Sequence, residues 1–386
     1  MRLPVDEQLL DDGDALTRAD PSRMLLALAS AGAQVREAVV RSEEAGVRQI
    51  DEDRPRSVLV ASLGGSALVA DVLALLAGAG SPLPLSVRRG APLPGWVGPL
   101  DLVIAVSLGG RASGPLALAA EAGRRGARLL TVGAEGSPLA QVCAQARGVH
   151  VPVASSSGAP PSSRTGLWSL LVPVLRAAHA IGAVDVPDAA LEATADRLDA
   201  EADACRPASE VFINPAKTLA VQLAGTVPVV LGDGPLTGVA ARRAAAMLAR
   251  TARTPAVHGS LPDDASEVVA TFDGPLSAGQ GSVFDDPFTD GDVGPVLRLL
   301  MLREPAPDPA RDDQAAFERA ALADRVRTMA QEVGVKVSEV HAEPGHDLVR
   351  LAGLVARTDF AATYLALGLG LDPATSPHVA DLRHAR

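Results

Sequence analysis

Aromatic side chains are scarce in this chain: six Phe, two Trp and one Tyr among 386 residues. Nucleic-acid bases find few rings to stack on. A formal charge of −11 leaves no basic excess for a phosphate backbone, so nucleic acid is excluded as a partner. Cysteine is almost absent. Cys143 and Cys205 stand far apart, without CxxC or Cys/His spacing, so neither a disulfide framework nor a metal site is expected; both thiols read as buried fillers of a protein in a reducing compartment. No apolar run reaches the ~18 residues of a membrane helix. The start, Met1-Arg2-Leu3-Pro4-Val5-Asp6-Glu7, is acidic where a signal peptide needs an apolar stretch, so a cytoplasmic location with no membrane partner is expected. Lysine is nearly missing as well. Lys217 and Lys336 are the only two among 35 basic residues, a bias that fits GC-rich coding and carries no chemistry.

What remains is aliphatic. The chain is 47% hydrophobic, enough for a large alanine-rich core, and its length suits two domains or more. Asp20 to about Val47 has helical spacing and opens at Asp20-Pro21-Ser22, a cap with proline in the first turn. Strand-like runs follow near 57–62, 83–88, 101–107, 127–132 and 148–153, with Ala/Leu helices near 66–77 and 113–125. Such alternation implies a parallel sheet. A helix near 165–182 and a polar acidic helical connector lead to a second α/β run. There the spacing predicts strands near 227–231, 254–257, 267–272, 296–303 and 335–341, with helices at 237–252 and 312–332. The second run looks like an internal duplication of the first. The acidic, turn-rich stretch from Asp273 to Val293 reads as an exposed insertion loop.

Two glycine turns stand out. Val58-Leu59-Val60-Ala61-Ser62 runs into Gly64-Gly65-Ser66, and Leu102-Val103-Ile104-Ala105-Val106 runs into Ser107-Leu108-Gly109-Gly110-Arg111-Ala112-Ser113. A small turn between a buried strand and a helix aims backbone N–H groups and hydroxyls at one point, which suits an anion; a lone Gly-Gly-Ser is also an ordinary structural turn. There is no GxxxxGK[ST] and no complete GxGxxG with a following acid, so neither nucleotide triphosphate nor dinucleotide binding is indicated, and no cofactor is expected.

With these turns the chain resembles the sugar isomerase (SIS) domain family, in particular its bacterial and archaeal bifunctional phosphoglucose/phosphomannose isomerases. The resemblance continues at Pro160-Pro161-Ser162-Ser163-Arg164-Thr165, Asn214-Pro215-Ala216-Lys217, Gly232-Asp233-Gly234-Pro235-Leu236, Arg253-Thr254-Pro255 and Gly370-Leu371-Asp372-Pro373. It implies an α/β fold of two SIS-type domains in tandem, each a mostly parallel sheet flanked by helices. The expected division is a helical lead-in at 1–56, a first SIS domain with the phosphate loops at 57–185, a helical connector at 186–213, and a second SIS domain at 214–386.

The family resemblance also implies a homodimer that interconverts aldose and ketose hexose 6-phosphates through an enediol, without metal, with the sugar phosphate held between its lobes. Phosphate would then lie on Gly64, Gly65, Ser66, Ser107, Gly109, Gly110, Arg111 and Ser113, and the sugar against Arg164. The proton-transfer carboxylate falls on Asp263 or on Glu267, and Arg383 takes the place of a near-terminal lysine. Several positions depart from the family pattern: Gly109, Arg111 and Ala112 stand for serine, asparagine and threonine, and Asp263 is one methylene short of glutamate. No histidine lies between His258 and His341. Asp263 and Asp264 after Pro262 equally suit a helix cap. Two functions are therefore expected to compete: a glucose 6-phosphate/mannose 6-phosphate to fructose 6-phosphate isomerase, and a non-catalytic sugar-phosphate sensor or regulatory subunit on the same fold.

Overall fold

The computed structural model describes residues 5–52, 54–153, 162–277, 296–310, 314–376 and 378–379. Contacts divide the chain into a first unit, Ala29–Asp199, and a second unit made of Met1–Leu28 with Ala200–Arg386.

Three short helices open the chain: α1 (Glu7–Asp11), α2 (Gly13–Ala19) and α3 (Met24–Ala29). Aspartates start them. Asp6 accepts from the Leu9 N–H, Asp12 from Asp14 and Ala15, and Asp20 from Met24 and Leu25 at 2.9 and 2.8 Å. The long helix expected from Asp20 to Val47 is divided at Ser30, so that α4 runs over Ala31–Glu44.

The first unit is built on one sheet. In chain order come β1 (Val58–Ser62), α5 (Ala67–Ala77), β2 (Leu85–Arg88), β3 (Leu102–Ser107), α6 (Ser113–Arg124), β4 (Arg128–Gly133), α7 (Pro138–Gln145), β5 (Val149–Pro152), α8 (Leu167–Ala180) and α9 (Asp188–Ala204). The five strands are all parallel in the order β2-β1-β3-β4-β5. β1 and β3 are buried along their whole length, as expected of strands covered on both faces. Leu59, Ala61, Val103 and Ala105 pack with Leu118, Ala119 and Ala122 of α6 and with Leu139 and Cys143 of α7. Cys143 is thus a core filler, and burial pushes its thiol pKa up.

Asp101 fixes the amino end of β3. Its fully buried carboxylate accepts from Arg56 at 3.1 and 2.8 Å, from Ser57 Oγ at 2.8 Å and from the Gly98 N–H at 2.9 Å. Burial raises its pKa, but the Arg56, Ser57 and Gly98 donors outweigh it and hold the carboxyl below its ordinary value. The unfolded chain therefore binds a proton more readily, and the stability Asp101 contributes is complete above the ordinary value and lost as pH falls through the folded one. Asp101→Asn is expected to lower stability near neutral pH by ~1–3 kcal/mol. The gap from wild type should narrow as the solution is taken below about pH 4, which denaturant melts at several pH values check.

The second unit continues with α10 (Pro215–Leu223), β6 (Thr226–Gly232), α11 (Pro235–Thr251), β7 (Val257–Ser260), α12 (Ala265–Ala270), β8 (Val296–Arg303), α13 (Gln314–Glu332), β9 (Lys336–His341) and α14 (Asp347–Gly368). Its four strands are parallel in the order β7-β6-β8-β9. Val229, Leu231, Leu299 and Met301 pack on Val268 of α12 and on Ala323, Val326 and Ala330 of α13. Two expectations need correction here. The strand expected near 254–257 begins at Val257. The stretch 267–272, expected as a strand, is helix α12 followed by a single 3₁₀ turn; its buried residues Val268 and Phe272 are four apart, one helical turn, despite their β-branched company. The expected insertion loop lies almost wholly outside the described residues. Among the described residues no helix is long and apolar enough to cross a membrane.

Candidate functional site

Both glycine turns sit at the carboxyl edge of the first sheet. After β1 the backbone turns at Gly64, whose φ of +62° lies in the left-handed region that favours glycine, and residues 64–66 form a 3₁₀ turn that runs into α5. A Cβ on Gly64 would meet nothing within 4 Å, so the turn faces open space. Ser66 stands at the cap position of α5, yet no side chain caps that helix.

The second turn is pinned from below. Ser107 Oγ accepts the Ala112 N–H at 3.2 Å, the Gly110 N–H donates to Ser107 O, and the Ala134 and Leu139 N–H groups donate to Leu108 O and Gly110 O. Gly110 has φ +63° and a Cβ there would lie 2.0 Å from Ser137 Oγ, so glycine is obligatory. Its neighbour Gly109 faces open space. Helix α6 then starts at Ser113, again with no side-chain cap.

Register joins the two turns. β1 and β3 are adjacent, with Ser62 opposite Val106, so Gly64–Ser66 and Ser107–Ser113 leave neighbouring strand ends. The chain departs from β1 toward β2 and from β3 toward β4, which makes this the switch point of the sheet, where parallel sheets take ligands. Two helix N-termini without a side-chain cap favour an anion. Ser62 adds a polar group: its side chain is fully buried and its Oγ has no hydrogen-bond partner among the described residues.

Around this edge lie several arginines. Arg111 is exposed on the second turn. Arg88 and Arg89 are exposed at the end of β2, and a Cβ on Gly114 would lie 1.9 Å from Arg89 O, so the first turn of α6 is built against that segment. Arg164 is buried, in a segment whose Gly166 would place a Cβ 3.2 Å from Leu108 of the second turn. The phosphate-turn residues and Arg164 thus share one region of the first unit.

The expected carboxylates belong to the second unit. Asp263 and Glu267 are exposed, on the loop after β7 and in the first turn of α12, and neither makes a side-chain hydrogen bond among the described residues. Asp264 beside them ties the loop instead, accepting from the Ser260 N–H at 2.7 Å, while Ser260 Oγ donates to Gly234 O at 3.1 Å. His258 lies within β7 and is exposed. Arg383 lies outside the described residues.

The profile of the bacterial phospho-glucose isomerase C-terminal SIS domain matches residues 212–385. The bifunctional phosphoglucose/phosphomannose isomerase of Caldicellulosiruptor bescii is 23% identical over 317 residues, covering 82% of this chain and 85% of that protein. Residues 212–385 thus match an SIS domain. Two solved structures share the fold of this chain. One is a hypothetical protein of Thermus thermophilus, with TM-score 0.70 and 15% identity over 99% of this chain and 96% of that one. The other is the C-terminal domain of glucosamine-fructose-6-phosphate aminotransferase from Francisella tularensis, with TM-score 0.60 and 12% identity over 92% and 98%.

One group of residues is not legible in the sequence. Asp233, Arg303, Glu304, Asp324 and Arg350 interlock at the carboxyl edge of the second sheet. Only the Gly232-Asp233-Gly234 turn signals it, since its partners are far apart in sequence.

Proposed function

We propose that the chain is an aldose–ketose isomerase that converts glucose 6-phosphate or mannose 6-phosphate into fructose 6-phosphate through an enediol, as a homodimer. What supports this most is the pair of uncapped helix starts over adjacent strand ends, with open space above Gly64 and Gly109. A phosphate monoester there accepts from the N–H groups of Gly65 and of the first turn of α6, with the Ser66, Ser107 and Ser113 hydroxyls and the Arg111 guanidinium in reach of its remaining oxygens. Arg164 takes the sugar hydroxyls. Isomerisation then needs a carboxylate that carries a proton between C1 and C2, the role given to Asp263 or Glu267, and a cation beside the enediolate oxygen, the role given to Arg383. Arginine keeps its proton near neutral pH, so it polarises and does not shuttle.

One observation favours a second reading, a sugar-phosphate sensor without turnover: Asp263 and Glu267 are exposed and unsupported by hydrogen bonds among the described residues. A coupled isomerase assay separates the two. For the enzyme, Asp263→Asn or Glu267→Gln lowers kcat by a factor of ~10²–10⁴ with KM little changed. Tight hexose-phosphate binding by a wild-type protein that never turns over contradicts the enzyme and favours the sensor.

A further inference from the structure

The second unit holds a cavity of about 340 Å³ at the carboxyl ends of β6 and β8. The chain leaves β6 toward β7 and β8 toward β9, so the cavity occupies the switch point of the second sheet.

Most of the charge around it is already matched. Asp233 accepts from Arg303 Nε at 3.1 Å, from Thr237 Oγ1 at 3.0 Å and from the Glu304 N–H at 3.0 Å, which ties the two strand ends together. Arg303 also reaches Asp324 at 3.2 Å and Glu339 at 2.9 Å. Arg350 bridges Glu304 at 2.7 Å and Asp347 at 2.5 Å.

Arg319 is different. It lines the cavity from α13, half-buried, and makes no hydrogen bond or ion pair among the described residues. Its Nε lies 3.7 Å from the position a Cβ would take on Gly234, the cap residue of the seventeen-residue α11. A cation is thus held beside the positive end of a helix dipole, where an anion between them relieves the repulsion. Gly234 has extended backbone that any residue adopts, so its missing side chain leaves room rather than conformation. The far wall is polar. Burial raises the Glu304 pKa, with Arg350 and Arg319 pulling it back, and Glu304 and Asp324 line this wall with acceptor oxygens.

We propose that this cavity is a second ligand site, which takes a small hydroxylated acid, its acidic group on Arg319 and its hydroxyls on Glu304 and Asp324. Every residue involved belongs to the second unit, so the site stands independently of the isomerase reading.

Calorimetric titration of the full chain with fructose 6-phosphate, gluconate and inorganic phosphate tests it. Fructose 6-phosphate or gluconate is expected to fill a site that Arg319→Ala weakens about tenfold or more and that a Ser66→Ala/Ser107→Ala double variant leaves intact. Which acid binds there tells a phosphate ester from a carboxylate. Ala320→Phe keeps the guanidinium and fills the cavity, so it should abolish the same binding; two unlike variants keep the test readable if one fails to fold. The proposal is overturned if neither hydroxylated acid binds in an Arg319-dependent way, or if inorganic phosphate alone binds there as tightly. Binding lost only in the double serine variant supports the phosphate turns and overturns this second site.

Discussion

Lys217→Met is expected to lower the unfolding free energy of the second unit by ~3–5 kcal/mol, because it strands three buried carbonyl acceptors. Lys217 is fully buried at the start of α10, and its ammonium donates to Leu10 O, Pro207 O and Ser209 O at 2.5, 2.7 and 2.6 Å. Three donors meet three carbonyl acceptors, so the group is saturated. The ammonium also lies 5.3 Å from the Tyr364 ring centre, and Tyr364 in turn donates to Cys205 O. Desolvation pulls the Lys217 pKa down, with Asp11 opposing it. Methionine fills much the same volume but leaves three buried carbonyls without a donor, at about 1–3 kcal/mol each before relaxation. A fall in the melting midpoint on the order of 10 °C should follow in thermal melts. An unchanged midpoint means that these three carbonyls find other donors and that Lys217 is not the pin joining the 5–28 segment to α10 and α14.

Gly110→Val carries the second large effect, and it acts on the proposed phosphate site. Valine at φ +63° is strained by ~1–3 kcal/mol. Its Cβ also enters the space of Ser137 Oγ, 2.0 Å away, which itself caps α7 through the Ala140 N–H. The turn must therefore move, and with it the Ser107–Ala112 hydrogen bond and the start of α6. A displacement on the order of 1 Å at such a site costs about a hundredfold in turnover. Gly109→Ala is the matched control for stability, since a Cβ there meets nothing within 4 Å. Melts should show Gly109→Ala near wild type and Gly110→Val well below it. Fructose 6-phosphate titrations at a temperature where both are folded should show weakened binding for Gly110→Val. Equal binding by Gly110→Val and wild type contradicts a phosphate role for the second turn.

How much of the molecule is legible in the sequence differs by element, for physical reasons. β1 and β3 are plain because strands buried on both faces read as unbroken apolar runs, and their turns because each needs a glycine with positive φ, Gly64 and Gly110. α14 is hidden: its twenty-two residues are buried on nearly every side, so no polar face marks a helical period. α12 reads as a strand because two valines, a threonine and a phenylalanine resemble one, while the four-residue spacing of its buried side chains shows only after packing. Asn214-Pro215-Ala216-Lys217 stands out as a motif, and Asn214 does cap α10, accepting from the Ala216 and Lys217 N–H groups at 3.0 Å. The carbonyls that hold Lys217 are backbone atoms brought in by tertiary structure, and nothing in the sequence names them. The same holds for Asp233 and Arg303, seventy residues apart along the chain. The phosphate turns form a pair only because parallel strands β1 and β3 are neighbours in register.

A crystal of the full chain soaked in fructose 6-phosphate puts the central claim to the most direct test. Phosphate oxygens within hydrogen-bond distance of the Gly65 N–H, the Ser66 hydroxyl and the first turn of α6 are predicted. A phosphate bound elsewhere in the first unit, with both turns left bare, contradicts the account.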